Sequence, residues 1–289
     1  MPNLKDIKTR IGSVKKTRQI TSAMKLVAAA KLKRATDAAT AAKPYKEKLE
    51  GVLRRVAAAA GDDVDTPLLQ TRETITKRAV VVLSSDRGLC GGFNNNLLRK
   101  ASPWLTEQGD QPPHVVTFGR KSTGYFAKRG WPEARNVEDW AKLPKAEIIG
   151  DLCDELVTGF VDGEFDEVWV VYNEFVNAIT QVPTFMKLLP LALEDAGDSS
   201  APGGDYRYEP DASSILGTLR PLYVRTLVLQ AFLETEAGEH AARMTAMDNA
   251  TNNASDLIAS LTLDYNRARQ AAITKELIEI VSGAQALEG

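Results

Sequence analysis

The chain has 289 residues, of which 44% are apolar, and a formal net charge of −2, values typical of a soluble globular protein. No apolar stretch approaches the roughly 20 residues that a helix needs to cross a bilayer, which argues against a membrane-spanning chain. The charge is nevertheless uneven: residues 1–60 carry 15 Lys and Arg against four carboxylates, a net of +11, so the rest carries −13. This asymmetry predicts an acidic or phosphate-bearing partner for the N-terminal segment.

The cysteines and histidines indicate neither a disulfide scaffold nor a metal site. Cys90 and Cys153 are too few for a disulfide framework and predict a reducing compartment. His114 and His240 have no neighbouring Cys or carboxylate at a metal-binding spacing. A basic, acid-poor start is also typical of organellar transit peptides, but here the helical pattern continues into the following segment.

A long coiled-coil helix is predicted over residues 1–60. Its first apolar residues recur at steps of three and four, which is a heptad seam: Leu4, Ile7, Ile11 and Val14. A strict continuation would place Arg18 and Lys25 on the seam, whereas the apolar residues resume at Ile20, Met24 and Val27. We therefore predict that the apolar face shifts partway along the helix, and that Pro44 kinks the helix without necessarily ending it.

The middle of the chain, residues 75–190, alternates apolar strands with helices. Strands are predicted at RAVVVLSS, HVVTFG, DEVWVVYNEF and TFMKLLPL, and helices over 94–107, 121–128 and 146–161. This alternation predicts an α/β sheet with parallel pairs, in a Rossmann-like globular domain. Residues 191–214, which include a polar stretch rich in Gly, Pro and Ser, are predicted to form a surface loop or linker.

A second long helix is predicted over residues 215–289. From Leu222 onwards there is no proline, and one stripe carries Leu222, Leu229, Leu233, Ile258, Leu261, Tyr265, Ala268 and Ala272. At 1.5 Å per residue, about 55 helical residues at the N-terminus and roughly 65 from Leu222 onwards would span about 80 and 100 Å, too long for a small compact domain. The predicted fold class is therefore α/β plus coiled coil, with the long N- and C-terminal helices forming an antiparallel pair.

The stretch SSDRGLCGGFNNNL, residues 84–97, places three glycines between a predicted strand and a predicted helix. Gly88, Gly91 and Gly92 match neither the phosphate-binding G-x-x-x-x-G-K-[ST] loop nor the dinucleotide G-x-G-x-x-G loop. Spacing alone favours a tight turn in which Asn94 or a neighbour caps the helix, and leaves a nucleotide site as the less favoured alternative.

Three stretches together resemble the bacterial gamma subunit of the F-type ATP synthase: IGSVKKTRQITSAMKLVAAAKLKRA, SSDRGLCGGFNNNL, and the C-terminal ARMTAMDNATNNASDL with the residues that follow it. The resemblance implies a central-stalk rotor subunit that couples proton-driven rotation to conformational change at the beta-subunit catalytic sites and regulates ATPase activity. It implies no catalytic site and no cofactor in this chain. The implied partners are three alpha and three beta subunits, epsilon and the membrane c ring.

The resemblance also implies particular contact residues. Those expected to contact beta are Met24, Lys25, Cys90, Arg269, Gln270, Thr274 and Glu276. Those expected in an apolar bearing at the top of the ring are Ile278, Ile280, Val281 and Ala284. Tyr208 and Glu209 match the stretch that meets the c ring. The implied location is the cytoplasmic face of the bacterial inner membrane, as a peripheral part of the complex.

Two other functions remain open on the residues alone. One is a nucleotide-dependent α/β enzyme that uses residues 84–97, which the absence of a phosphate-binding lysine disfavours. The other is a basic coiled-coil protein that binds nucleic acid. It is disfavoured because no aromatic residue precedes Tyr45 in the basic segment.

Overall fold

Two long helices begin and end the part of the chain that the computed structural model describes, residues 4–60, 67–72, 74–107, 112–131, 133–191, 208–209 and 211–288. Helix α1 covers Leu4–Ala60 and helix α5 covers Ala212–Glu288. The chain forms two compact units, unit 1 (residues 1–28 and 243–289) and unit 2 (residues 29–242). Most of the predicted loop over 191–214, namely 192–207 and 210, lies outside the described residues.

Both long helices contain a proline. α1 continues through Pro44, and α5 contains Pro221 and begins at Ala212, three residues before the predicted start at residue 215. The start of α5 is fixed by Asp211, whose carboxylate accepts hydrogen bonds from the Ser214 backbone N–H at 2.8 Å and from the Ser214 hydroxyl at 2.7 Å. Such a cap satisfies one of the free N–H groups of the first turn.

Unit 2 contains a five-stranded sheet in the order β3-β2-β1-β4-β5. The strands are β1 (Arg78–Leu83), β2 (His114–Phe118), β3 (Glu133–Val137), β4 (Glu167–Phe175) and β5 (Gln181–Leu189). β1 pairs in parallel with β2 and β4, β2 pairs in parallel with β3, and β4 pairs antiparallel with β5. The predicted parallel pairs are therefore confirmed, while β3 was not predicted because its sequence, EARNV, has no apolar alternation.

Helices cover both faces of this sheet. α2 (Phe93–Glu107) and α3 (Arg120–Ala127) pack on one face with Val80, Val82 and Val115. On the other face, α4 (Lys145–Val161) shares a core with Val81, Val170 and parts of α1 and α5 that belong to unit 2. Because parallel strands are buried on both faces, β1 reads as a continuous apolar run rather than as an alternating one.

In unit 1 the two terminal helices pack antiparallel. Thr21 lies opposite Thr251 and Lys25 lies opposite Asp248, so residue numbers rise along one helix as they fall along the other. At this register Leu4 lies level with about Ala268, and α5 therefore continues for roughly 20 residues, or about 30 Å, beyond the first described residue of α1.

Within unit 1, the buried residues of α1 are Ile7, Thr21 and Ala28, which are separated by multiples of seven residues as a single heptad seam requires. The predicted shift of the apolar face is therefore wrong. Ile20 and Val27 are 60% and 58% exposed, whereas Ala28 is 2% exposed. At the level of Lys25 and Thr21, α5 presents polar partners, Asp248 and Thr251.

The second half of the predicted α5 stripe is confirmed. Leu261 is buried, and Ile258, Tyr265, Ala268 and Ala272 are half-buried at alternating steps of three and four. Nearer its start, α5 is buried on most sides from Tyr223 to Gly238, within unit 2, so a single stripe does not describe it there.

Candidate partner-binding surfaces

The glycine loop after β1 is held together by its own side chains. The Asn94 amide oxygen accepts a hydrogen bond from the Ser85 backbone N–H at 3.0 Å. The Asn94 amide nitrogen donates to the Ser85 hydroxyl at 2.8 Å and to the Cys90 sulfur at 3.2 Å. Asn94 thus lies inside the first turn of α2 and closes the loop onto the end of β1, and is not itself the N-cap.

The loop presents Leu89 and the glycines outward and turns Cys90 inward. Leu89 has a φ of 64° and is 62% exposed, while Cys90 is 2% exposed. Gly91 has a φ of 57°, a conformation in which a residue without a Cβ is favoured. Contact through this loop would therefore involve Leu89, Gly91 and Gly92 directly, and the predicted contact residue Cys90 only through the shape that it gives the loop.

The place where an α/β sheet of this order would bind a nucleotide is filled by protein. Ligands of such sheets bind beyond the carboxyl ends of the strands where the strand order reverses, here between β1 and β4. At this point the Asn173 amide donates to the Phe93 carbonyl at 3.1 Å, and a Cβ added to Gly238 would lie 3.0 Å from the Phe93 ring. This packing does not favour the nucleotide-enzyme alternative.

Hydrogen bonds also join the segments that follow β1, β2 and β3. One Asp86 carboxylate oxygen accepts the backbone N–H groups of Arg120 and Asp139, at 3.1 and 2.8 Å. The Trp140 indole N–H donates to the Ser84 carbonyl at 2.9 Å. Asp86 therefore organises loops by accepting backbone hydrogen bonds.

The predicted N-terminal contact residues have different surroundings. Met24 and Lys25 are both half-buried in unit 1, and the Lys25 ammonium pairs with Asp248 at 2.7 Å. The most exposed apolar residues of this stretch are Ile20, Leu26 and Val27. The prediction missed Leu26 as a surface residue, although a leucine off a strict heptad seam is the signal that would have identified it.

The predicted C-terminal contact residues all lie where α5 has passed the described start of α1. Arg269, Gln270, Thr274 and Glu276 are exposed, and the Thr274 hydroxyl donates to the Gln270 carbonyl at 3.0 Å. The tip, defined here as residues 273–288, also exposes five large apolar side chains: Ile273, Leu277, Ile278, Ile280 and Val281. The side chain of Ala284 lies outside the described residues. An exposed apolar surface of this kind marks a protein interaction site.

The two residues predicted to meet the c ring lie just before α5. Tyr208 is half-buried and packs against the core of unit 2, and Glu209 is exposed. The preceding residues lie outside the described part of the chain, so this surface stays a prediction.

The thiols and histidines of the described residues do not form a reactive or metal-binding centre. Burial raises the pKa of the Cys153 thiol to about 12, which keeps it protonated at neutral pH. No group of His, Cys, Asp and Glu within the described ranges is arranged to hold a metal ion. Among the described helices, none has a stretch that is both long and apolar enough to span a membrane.

Comparison with known proteins gives one family over the full chain. A family profile described as ATP synthase matches residues 3–287. The ATP synthase gamma chains of Pelotomaculum thermopropionicum and Desulforamulus reducens are 46% and 48% identical to this chain over 288 residues, and each alignment covers 100% of both chains.

Solved structures from mitochondrial ATP synthases share the fold. A chain of the Euglena gracilis enzyme in rotational state 3 matches 98% of this chain and 94% of its own, with a TM-score of 0.68 and 21% identity. A chain from the central stalk and c-ring of the Tetrahymena thermophila enzyme matches 80% of this chain and 99% of its own, with a TM-score of 0.61 and 24% identity.

Proposed function

Because the chain belongs to the ATP synthase gamma chain family, we propose that it is the central-stalk rotor subunit of a rotary, proton-translocating ATP synthase. In this role it catalyses no reaction itself, and ATP forms on the beta subunits. Its partners are three alpha and three beta subunits, epsilon and the membrane c ring, and it works as a peripheral protein at the cytoplasmic face of the bacterial inner membrane.

The rotor couples proton flow to catalysis through its asymmetry. A shaft with a different surface on each side presents a different surface to each of three equivalent catalytic sites. A contact that favours one conformation of a site shifts that site's equilibrium by the difference in contact energy between its conformations. Rotation then moves each contact to the next site, and the three sites change state in turn. The same contacts allow the shaft to regulate ATPase activity.

The observation that best supports this proposal is the tip, residues 273–288. It continues α5 beyond the described start of α1 and exposes Ile273, Leu277 and Ile280 on one helical stripe. A helix with such a stripe needs an apolar surface around it, as a bearing inside a ring of subunits would supply. Ile278, Val281 and Ala284 would share this bearing.

The remaining predicted contacts are less apolar, as suits a surface that slides. Arg269, Gln270, Thr274 and Glu276 are polar and exposed, and exposed ion pairs contribute only about 0.2–1 kcal/mol each, so they can break and re-form as the shaft turns. The net charge of +11 over residues 1–60 suits acidic loops of beta. Met24 and Lys25 belong to this segment, and Cys90 supports the glycine loop as a second contact.

Native mass spectrometry tests the proposed function most directly. The tagged chain would be isolated in detergent from membranes of its own source cell. We expect a complex that holds one copy of this chain with three copies each of two nucleotide-binding subunits. A monomer, or a homo-oligomer that itself carries nucleotide, would overturn the proposal.

Hydrogen exchange tests the proposed contact surfaces. In the isolated chain, amides of residues 273–288 should exchange quickly, because a helix without tertiary packing opens at little cost in free energy. In the assembled complex the same amides, and those of the loop at residues 87–92, should exchange at least roughly tenfold more slowly. The buried strand β1 is the internal control and should be protected in both samples. Equal amide exchange rates at the tip in the isolated chain and in the complex would contradict the proposal that the tip lies in an apolar bearing.

A further inference from the structure

Two polar contacts cross the helix pair of unit 1 at adjacent levels of its seam. The Thr21 and Thr251 hydroxyl oxygens lie 2.8 Å apart, and each also lies within hydrogen-bonding distance of a carbonyl on its own helix, Arg18 or Met247. Since each hydroxyl has one proton, one donates across the pair while the other donates to its own helix. One step further along, the Lys25 ammonium donates to the Asp248 carboxylate at 2.7 Å.

These contacts lie where the apolar pattern of α1 favours a different face. Residues 20, 24 and 27 are Ile, Met and Val, at the spacing of a seam, whereas residues 21, 25 and 28 on the observed seam are Thr, Lys and Ala. A rotation of α1 by one residue, about 100°, would bury the more apolar set. In the structure Ile20 and Val27 nevertheless face outward, and Thr21 and Ala28 are buried.

We propose that the Thr21–Thr251 and Lys25–Asp248 contacts select which face of α1 packs against α5, and so keep Ile20 and Val27 on the outer surface. The rotated arrangement would set Ile20 near Thr251 and Met24 near Asp248. Asp248, whose side chain is 43% exposed, would then lose its ion pair and lie beside an apolar side chain instead. The polar residues of α5 therefore disfavour packing of the 20/24/27 face of α1 as well as favouring packing of the 21/25/28 face.

This role resembles that of a single polar residue in a coiled-coil seam, which specifies register at some cost in stability. Small side chains such as alanine and threonine pack almost equally well in either rotation of α1. A polar contact therefore contributes more to the choice of face here than it would in a seam of leucines. The inference rests on contacts within unit 1 and does not depend on the proposed function.

Charge reversal with cysteine labelling tests the inference in the full-length chain. Val27→Cys and Ala28→Cys are made separately in three backgrounds: the natural sequence, Lys25→Asp, and Lys25→Asp with Asp248→Lys. Labelling by iodoacetamide is followed for each cysteine by peptide mass spectrometry. The natural Cys90 and Cys153, both buried, serve as internal controls for the fold of unit 2.

In the natural background residue 27 should label at least roughly tenfold faster than residue 28, because opening of a packed seam is required to reach the latter. In Lys25→Asp, two carboxylates face each other, and we expect labelling of residue 27 to slow while that of residue 28 quickens. The double reversal should restore the natural order. An unchanged order in Lys25→Asp would overturn the inference. Fast labelling at both positions would overturn it too, because the contact would then hold the helices together without choosing the face.

Discussion

Replacing Asp166 by alanine should lower the free energy of unfolding of unit 2 by roughly 3 kcal/mol, because it removes the acceptor of two backbone N–H groups and of an ion pair with the partly exposed Arg72. Asp166 is 7% exposed. One carboxylate oxygen accepts from the Arg72 guanidinium at 2.7 Å, and the other accepts the backbone N–H groups of Thr76 and Lys77 at 2.7 and 2.8 Å. These contacts fix the segment that leads into β1.

Urea unfolding followed by tryptophan fluorescence would measure this loss, because all four tryptophans, Trp104, Trp131, Trp140 and Trp169, belong to unit 2. Asp162→Ala is the matched control. That carboxylate is exposed nearby, and its loss should change stability by no more than about 0.5 kcal/mol. Equal unfolding midpoints for the two variants would show that the Asp166 contacts contribute little.

The stabilising contribution of the Asp166 carboxylate should depend on pH. Burial raises the pKa of Asp166, but the hydrogen bonds that it accepts from Lys77, Thr76 and Arg72 together outweigh that effect and hold the pKa well below its usual value. Its stabilising contribution is therefore complete above the unfolded-state pKa of about 3.9 and is lost as the pH falls towards the lower folded-state pKa. We expect the stability gap between the natural chain and Asp166→Ala to narrow steadily below about pH 4. A gap that widens in acid would contradict this assignment.

Gly119→Ala should destabilise unit 2 by roughly 3 kcal/mol or more, while Gly124→Ala, five residues away, should stabilise it by about 0.5–1 kcal/mol. Gly119 has φ 96° and ψ 137°, which residues with a Cβ rarely adopt. A Cβ there would lie 2.3 Å from the Ser84 carbonyl oxygen, the atom that also accepts the Trp140 indole N–H. Gly124, by contrast, has open space around it on helix α3.

The pair of glycine variants is measured in the same urea experiment. The two substitutions add the same methyl group, so the difference between them isolates the backbone conformation and the contact with β1. If the free energy of unfolding of Gly119→Ala differed from that of the natural chain by less than about 0.5 kcal/mol, Gly119 could not approach the end of β1 as closely as described.

Much of unit 2 could be predicted because its strands are apolar on both faces and its helices are short. Val80 to Leu83 form the short, mostly β-branched apolar run that is typical of a strand buried on both faces. Strand β3 could not be found, because it is an edge strand whose formation depends on pairing with β2, and EARNV carries no apolar alternation that would indicate it. The C-terminal helix was predicted from residue 215 and begins at Ala212, where the polar side chain of Asp211 caps its first turn.

The outer surfaces could be predicted less well than the fold. The apolar character of Ile20 and Val27 indicates burial when read alone, and only the polar side chains of α5, more than 200 residues later, explain why they face outward. Similarly, the spacing of the loop glycines could not show whether Cys90 or Leu89 points outward, because that depends on the Asn94 hydrogen bonds.

The unequal lengths of the helices in unit 1 have a mechanical consequence. Where α1 and α5 pack together, twisting either one also strains the contacts between them, so the pair is torsionally stiff. Beyond the described start of α1, the last turns of α5 resist torsion through their own backbone hydrogen bonds. For an equal torque, these turns would therefore twist through a larger angle per residue than the paired part of the helices.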